Sequence, residues 1–239
     1  MVIIRNDLNE GSALMNIPTS GDIIYQKIHD AIMENQLRPN YRLQEEKLAK
    51  TFNVSRTIIR EALQRLSGDS MIYIEKNKGA TVYQPSVKES KEIFYTRRLL
   101  ETSAIEQIIK NITNIQLDNL SEICQAEQDC LNRNRSKESI KLSAKFHVFL
   151  ISIADNEVVT NLLTGLIART SLIISAYASP MDTGCSCGTH AELLDILKKK
   201  DIEASISWLN EHFKKIEGGL NLSNAWNVQK DLNEFFTSK

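Results

Sequence analysis

The sequence is poor in helix breakers, with nine glycines and four prolines among 239 residues. That scarcity, beside 42% apolar and 25% charged residues, is the composition of a soluble, helix-rich protein. Cysteines are few as well: Cys124, Cys130, Cys185 and Cys187 make no secreted disulfide framework. No secretory leader is expected at Met1–Ile17, which holds one short apolar run followed by Asp7, Asn9 and Glu10. The most apolar long stretch, Leu162–Ala178, is interrupted by Arg169 and several hydroxyls, so it reads as a buried helix and not a membrane span. These absences predict a cytoplasmic chain with no membrane partner. A positive surplus is also lacking. The formal net charge is −1, so any polyanion must be bound by the placement of cations and not by bulk charge. The length is sufficient for two domains, each with its own core.

What is present is most legible at Val54–Leu63. Ser55 is a good N-cap, and an apolar-periodic run follows it directly. At about 100° per residue, Ile59, Ala62, Leu63 and Leu66 share one stripe. Arg56, Thr57, Arg60 and Gln64 share another. The first stripe suits a core; the second offers guanidiniums, a hydroxyl and an amide near a helix N-terminus, where a recognition helix meets phosphates and base edges. An ordinary amphipathic helix with a solvated face has the same pattern, so the neighbours decide.

Upstream, Asp22–Asn35 carries Ile23, Ile24, Ile28, Ala31 and Ile32 at helical spacing, and Glu45–Phe52 is a short helix with Leu48, Ala49 and Phe52 inward. Asn53-Val54 turns tightly into the Ser55 helix, which makes a helix-turn-helix. Downstream, Met71–Glu75 and Ala80–Tyr83 alternate like strands, with Ile72 and Ile74 able to pair with Ala80 and Val82 around a Lys76-Asn77-Lys78-Gly79 turn. The result is a winged helix at roughly 20–84, after a loosely ordered 1–19. Its expected DNA-facing set is Ser55, Arg56, Thr57, Arg60 and Gln64, with Lys47 on the preceding helix and Lys76, Lys78 and Gly79 in the wing. Residues 21–83 hold ten Lys/Arg against eight Asp/Glu, a local +2 that dimerisation would double.

The run Leu43…Glu45…Leu48-Ala49…Val54-Ser55-Arg56-Thr57…Arg60-Glu61-Ala62-Leu63…Leu66, followed by Gly79-Ala80-Thr81-Val82, resembles the N-terminal domain of the GntR family of bacterial transcription regulators. The family's frequent Pro-Gly is Pro39-Asn40 here, still compatible with a turn because Asn tolerates positive φ. Its Pro after the Arg-Thr pair is Ile58, and its Glu-Gly before the wing is Asp69-Ser70.

Pro85-Ser86 marks the boundary to a second, all-α domain at 85–239, with helices expected at about 86–111, 115–133, 137–154, 157–178, 188–199, 201–217 and 223–236. The fold class is therefore mainly α: a winged helix with a small hairpin, then a helical bundle. His147, His190 and His212 fall on three different predicted helices. Each alone is most simply a polar helix residue. Three imidazoles converging in one bundle interior would instead suit Zn²⁺ or Ni²⁺. Arg97 and Glu101, four apart, fit a surface pair; Ile93, Phe94, Leu100, Ala104 and Ile105 also put Arg97 near the edge of a buried stripe, where it could hold a carboxylate.

Phe146-His147…Asn156, His190-Ala191-Glu192-Leu193-Leu194, Asp201…Ala204…His212 and Arg97-Arg98-Leu99-Leu100-Glu101 are similar to the ligand-binding FCD domain of the FadR branch of that family. The resemblance implies His147, His190 and His212 as metal ligands, Arg97 as the anchor of a small carboxylate effector, operator DNA as partner, and a homodimer that usually represses. One departure stands out: the family's acidic ligand, one turn before the first histidine, is Ser143 here, which places a hydroxyl in the effector site. Three histidines and water can still hold zinc in an open arrangement; weaker affinity, or an effector filling the gap, is equally compatible. Two rivals remain. An open triad could activate water in a metal-dependent hydrolase, but no acid is placed as an obvious general base. Alternatively the metal, or the Cys185-Ser186-Cys187 thiols, could itself be the signal of a metal or redox sensor.

Overall fold

The computed structural model describes residues 19–34, 36–75, 79–178 and 190–222. The chain begins with α1 (Ser20–Met33), started by a capping box in which the Thr19 hydroxyl accepts from Asp22 N–H and the Asp22 carboxylate accepts from Thr19 N–H at 2.8 Å. Then come β1 (Arg42–Leu43), α2 (Glu45–Phe52), α3 (Arg56–Gly68), β2 (Ile72–Glu75) and β3 (Gly79–Val82). Asn53, left-handed at φ 53°, ends α2, and the Ser55 side chain accepts from Ile58 N–H to start α3. Ile28, Leu43, Leu48, Ile59, Leu63, Leu66 and Met71 are fully buried between these elements.

The wing differs from a plain hairpin. Its sheet has three antiparallel strands in the order β1-β3-β2, because Arg42 and Leu43 pair with Thr81 and Ala80. Ile72 and Ile74 face Val82 and Ala80 in the expected register. Ile74 is nonetheless exposed, since the ladder runs past the core towards the tip. Ile23 is exposed too; it precedes the buried Ile24–Ile28–Ala31–Ile32 stripe of α1 by one position, about 100° around the helix. Phe52 is half-buried, with Lys27 over its ring. Gly79 sits at φ 93°, a conformation that L side chains rarely adopt, which explains glycine there. Asn40 takes positive φ (66°), as its turn position suggested.

Ser70 is held at φ 57° without being glycine. A side chain in the left-handed region costs about 1 kcal/mol, part of which glycine's own entropy offsets. Ser70→Gly is therefore expected to raise the unfolding free energy by about 0.5–1 kcal/mol, read as a higher urea midpoint with an unchanged slope. A lower midpoint would show that the turn is not strained.

The second part is helical among the described residues, apart from one isolated antiparallel bridge between Ala178 and Leu220: α4 (Val87–Asn111), α5 (Asn114–Asn132), α6 (Ser136–Ser152), α7 (Glu157–Tyr177), α8 (His190–Lys198) and α9 (Ile202–Gly218). Side-chain caps from Ser86, Thr113, Asn156 and Asp201 start four of them. α4 packs on α7 and α9, α5 on α6 and α8, α6 on α7, and α8 on α9. By length and composition the Glu157–Ile174 stretch of α7 could cross a membrane, with mean hydropathy 1.3. It packs instead on α4 and α6, with Leu163, Ile167, Leu172 and Ile173 buried. Segments 1–18, 76–78, 179–189 and 223–239, with Lys76, Lys78, Cys185, Cys187 and the expected last helix, lie outside the described residues.

The two parts touch. α1 rests on α6 and α7, and Lys141 of α6 pairs with Asp30 and Glu34 of α1 at 3.0 and 3.1 Å. Between them, Glu89 accepts from the Tyr83 hydroxyl and pairs with Arg169, while the Tyr177 hydroxyl donates to the Pro85 carbonyl at 2.8 Å.

Candidate functional sites: an exposed helix face and a buried histidine triad

The α3 face carries the expected groups. Ser55, Arg56, Thr57, Arg60 and Gln64 are all exposed, as is Lys47 on α2, while Ile59, Ala62, Leu63 and Leu66 are buried on the other side. The two arginines are already partnered: Arg56 with Glu46 at 3.1 Å, and Arg60 Nε with Glu45 at 2.8 Å. Such exposed pairs contribute little and are exchanged easily for phosphate or base contacts.

The bundle brings His147 (α6), His190 (start of α8) and His212 (α9) together with one ligand atom of each within 4.8 Å of the others, all buried. Flat stacking fixes two rings: His190 on Phe146 with centroids 4.5 Å apart, and His212 on Trp208 at 4.7 Å. His147 Nδ1 lies 2.7 Å from Glu101, and His190 Nδ1 lies 2.6 Å from Glu127. A carboxylate only accepts, so each Nδ1 carries the proton and each Nε2 presents a lone pair. Those two Nε2 atoms face each other at 3.3 Å. Both nitrogens of His212 are buried without a hydrogen-bond partner.

This donor set fits a divalent cation. Two nitrogens each ~2.0–2.1 Å from a tetrahedral ion stand about 3.3 Å apart, and facing lone pairs repel unless a cation lies between them. A buried, unpaired imidazole is otherwise a cost of about 1–3 kcal/mol.

Burial pushes the Glu101 carboxyl up, but Arg97 and His147 outweigh it and hold it at about 2. Burial lowers His147 against the pull of Glu101, and burial likewise lowers His212 well below the ordinary range, helped by the Arg97 guanidinium. Both rings are therefore neutral at pH 7, the form a metal requires. The same shifts fix a sign. Above the ordinary imidazole value of about 6.5 neither state takes up protons at these rings; below it the unfolded chain takes them up first. Metal-free stability is thus expected to be flat above pH 7 and to fall below about 6.5, by up to about 1.4 kcal/mol per pH unit for each histidine. Urea titrations at pH 8, 7, 6 and 5 read this directly; a flat profile would mean that the rings are hydrated.

Arg97 and Glu101 are not a surface pair. Both are 3% exposed. Arg97 Nε donates to Glu101 Oε1 at 2.8 Å, and its guanidinium lies 5.0 Å over the Phe213 ring, which also packs near His147. Arg97 Nη2, 2.7 Å from that same oxygen but poorly aligned with it, keeps its hydrogens unpaired in the interior. One carboxylate thus holds the arginine with one oxygen and a histidine with the other. Ser143 is half-buried on α6, one turn before His147. Glu127 and the His147 contact of Glu101 were missed in the sequence. The signal was there: Glu127 follows Leu120, Ile123 and Cys124 on the buried stripe of α5, where a lone charge calls for a partner.

Residues 21–82 match the family described as bacterial regulatory proteins, gntR family, and residues 92–215 match the FCD domain. The HTH-type transcriptional regulator YdhC of Bacillus subtilis (strain 168) is 28% identical over 194 residues, covering 79% of this chain and 85% of that one. The HTH-type transcriptional repressor RspR of Escherichia coli (strain K12) is 24% identical over 196 residues, covering 81% and 85%. The gluconate operon transcriptional repressor of Bacillus subtilis (strain 168) is 25% identical over 181 residues, covering 73% and 74%. Among solved structures, a GntR transcriptional regulator from Rhodococcus sp. RHA1 shares the fold with a TM-score of 0.70 at 20% identity, over 83% of this chain and 97% of that one.

Proposed function

The chain belongs to the GntR family of bacterial regulatory proteins, with an FCD domain behind the DNA-binding domain, and from that membership we propose a cytoplasmic, homodimeric repressor whose grip on its operator is set by a small organic acid. It is a transcriptional regulator, and its family is one of regulators and not of enzymes. In this reading Ser55, Arg56, Thr57, Arg60 and Gln64 meet the operator in the major groove, while Lys47, Lys76, Lys78 and Gly79 grip its backbone. His147, His190 and His212 hold Zn²⁺ or Ni²⁺. The ion, when bound, offers a Lewis-acid position to a carboxylate, and Arg97 takes another oxygen of the acid with its unpaired Nη2 hydrogens. Ser143, on the same helix as His147, contributes a hydroxyl to the effector site.

The carrying observation is the buried cluster in which Glu101 joins Arg97 to His147 beside the unpartnered His212. Such a group of donors is costly unless a cation and an anion complete it. Repression follows the relatives named repressors, one of them for an operon of a carboxylate sugar acid. For the dimer, Tyr95 and Leu99 on α4 and Val158 and Leu162 on α7 are exposed at i, i+4 spacing on two helices that pack together. That is a face suited to a two-fold copy.

The test is operator binding, on DNA recovered by selection from random sequence, with native, chelator-stripped and zinc-reloaded protein against a panel of organic acids. The reading expects a solution mass of twice 27.1 kDa and an acid response that vanishes on stripping and returns with zinc. An acid response in fully stripped protein overturns the metal's part. Release of DNA by zinc alone makes the protein a metal sensor instead.

A further inference from the structure

Each of two histidines in the triad is backed by a carboxylate from a helix that carries no histidine. Glu101 on α4 reaches His147 on α6, and Glu127 on α5 reaches His190 on α8. Both carboxylates are buried, in a place where an anion is costly without a partner. We propose that Glu101 and Glu127 are the positioning residues of the cation site: each fixes its imidazole as the Nδ1–H tautomer and aims the Nε2 lone pair at one shared point.

The proposal rests on the metal reading above. Three observations carry it. The contacts run to Nδ1 in both rings, so in both cases the same nitrogen is left for a cation. The two Nε2 atoms meet at 3.3 Å, the separation expected for neighbours on a tetrahedral ion. His212, which has no carboxylate behind it, is oriented by the Trp208 stack, and Trp208 is in turn tied to Glu192 by its indole N–H at 3.0 Å. All three rings are thus aimed by groups that do not touch the ion. A carboxylate hydrogen-bonded to the far nitrogen of an imidazole raises its basicity as a ligand, so both contacts would help hold a divalent ion.

The experiment has two arms on the full chain. Long-range ¹H–¹⁵N spectra of the metal-free protein assign the tautomer of each ring; His147 and His190 are expected with protonated Nδ1 and bare Nε2. Zinc affinity of Glu127→Gln, measured by competition with a chromogenic chelator, is expected to fall 10–100-fold, because an amide accepts or donates and no longer selects one tautomer. Protonated Nε2 at either ring in the wild-type protein overturns the proposal and leaves the metal reading standing. A Glu127→Gln variant that binds zinc as the wild type does, even with a lower melting temperature, makes Glu127 a packing residue and also overturns it. A wild-type chain that binds no zinc overturns both.

Discussion

Replacing His212 with leucine is expected to stabilise the metal-free protein while abolishing its response to zinc. In the folded chain the imidazole is buried with both nitrogens unpartnered, and its pKa is pushed well down by burial and by neighbouring charge. An apolar side chain of similar size removes that desolvation cost, a gain of about 1 kcal/mol or more in urea titrations without metal. The wild type, in contrast, should gain about 2.7 kcal/mol when free zinc is a hundredfold above its dissociation constant, and the variant nothing. The opposed signs are diagnostic. A ring that served only packing would lose stability on substitution and would leave zinc without effect in either protein. If His212→Leu is destabilised without metal by as much as a core truncation, and zinc still raises its melting temperature, the triad is not the metal site.

The second large effect concerns α3. Arg56→Ala is expected to remove specific operator binding and leave the fold intact, since the side chain is exposed and its partner Glu46 is exposed as well. Loss of a base-reading or closely held phosphate contact costs roughly 1–3 kcal/mol per half-site, and the proposed two-fold dimer would lose it twice. The expected drop in affinity is therefore on the order of tens to ten-thousandfold. Non-specific binding should weaken far less, and the circular dichroism spectrum should not change. A variant with wild-type operator affinity would remove α3 as the reading helix. Because Glu45 and Glu46 already neutralise Arg60 and Arg56, truncating either acid should shift binding towards non-specific DNA, which responds to charge alone.

Most of the architecture was readable because helices announce themselves by period. The Ile59–Ala62–Leu63–Leu66 stripe, the Ser55 cap and the 3.6-residue spacing along α4 to α9 leave few alternatives. What escaped had weak local signatures. β1 is two residues long and exists because β3 offers it an edge, which no local propensity encodes. Ile23 and Ile74 look like core residues by type, and are exposed because one lies off its stripe and the other beyond the end of the core. In the site, the histidines stood out as one on each of three predicted helices and through the resemblance to the FCD domain, but their partners did not. Glu101 and Glu127 are separated by 46 and 63 residues from the rings they hold. From sequence alone a glutamate on a helix is assumed to face water; the apolar stripe of α5 argues that Glu127 is buried, but only packing shows which ring each of the two holds.

Lys141 gives α6 a double membership. Six residues, or about 9 Å along the axis, separate it from His147, and at its own end it holds α1 of the DNA-binding part through Asp30 and Glu34. A single helix thus carries both a residue of the triad and the contact that seats the winged helix. Linkage makes traffic along it two-way: whatever factor an occupant of the triad imposes on the operator, the operator imposes on the occupant. On the proposed reading, DNA would in that sense be an effector of the triad. If the proposed effector binds there, its affinity for the free protein and for the operator-bound protein should differ by that same factor.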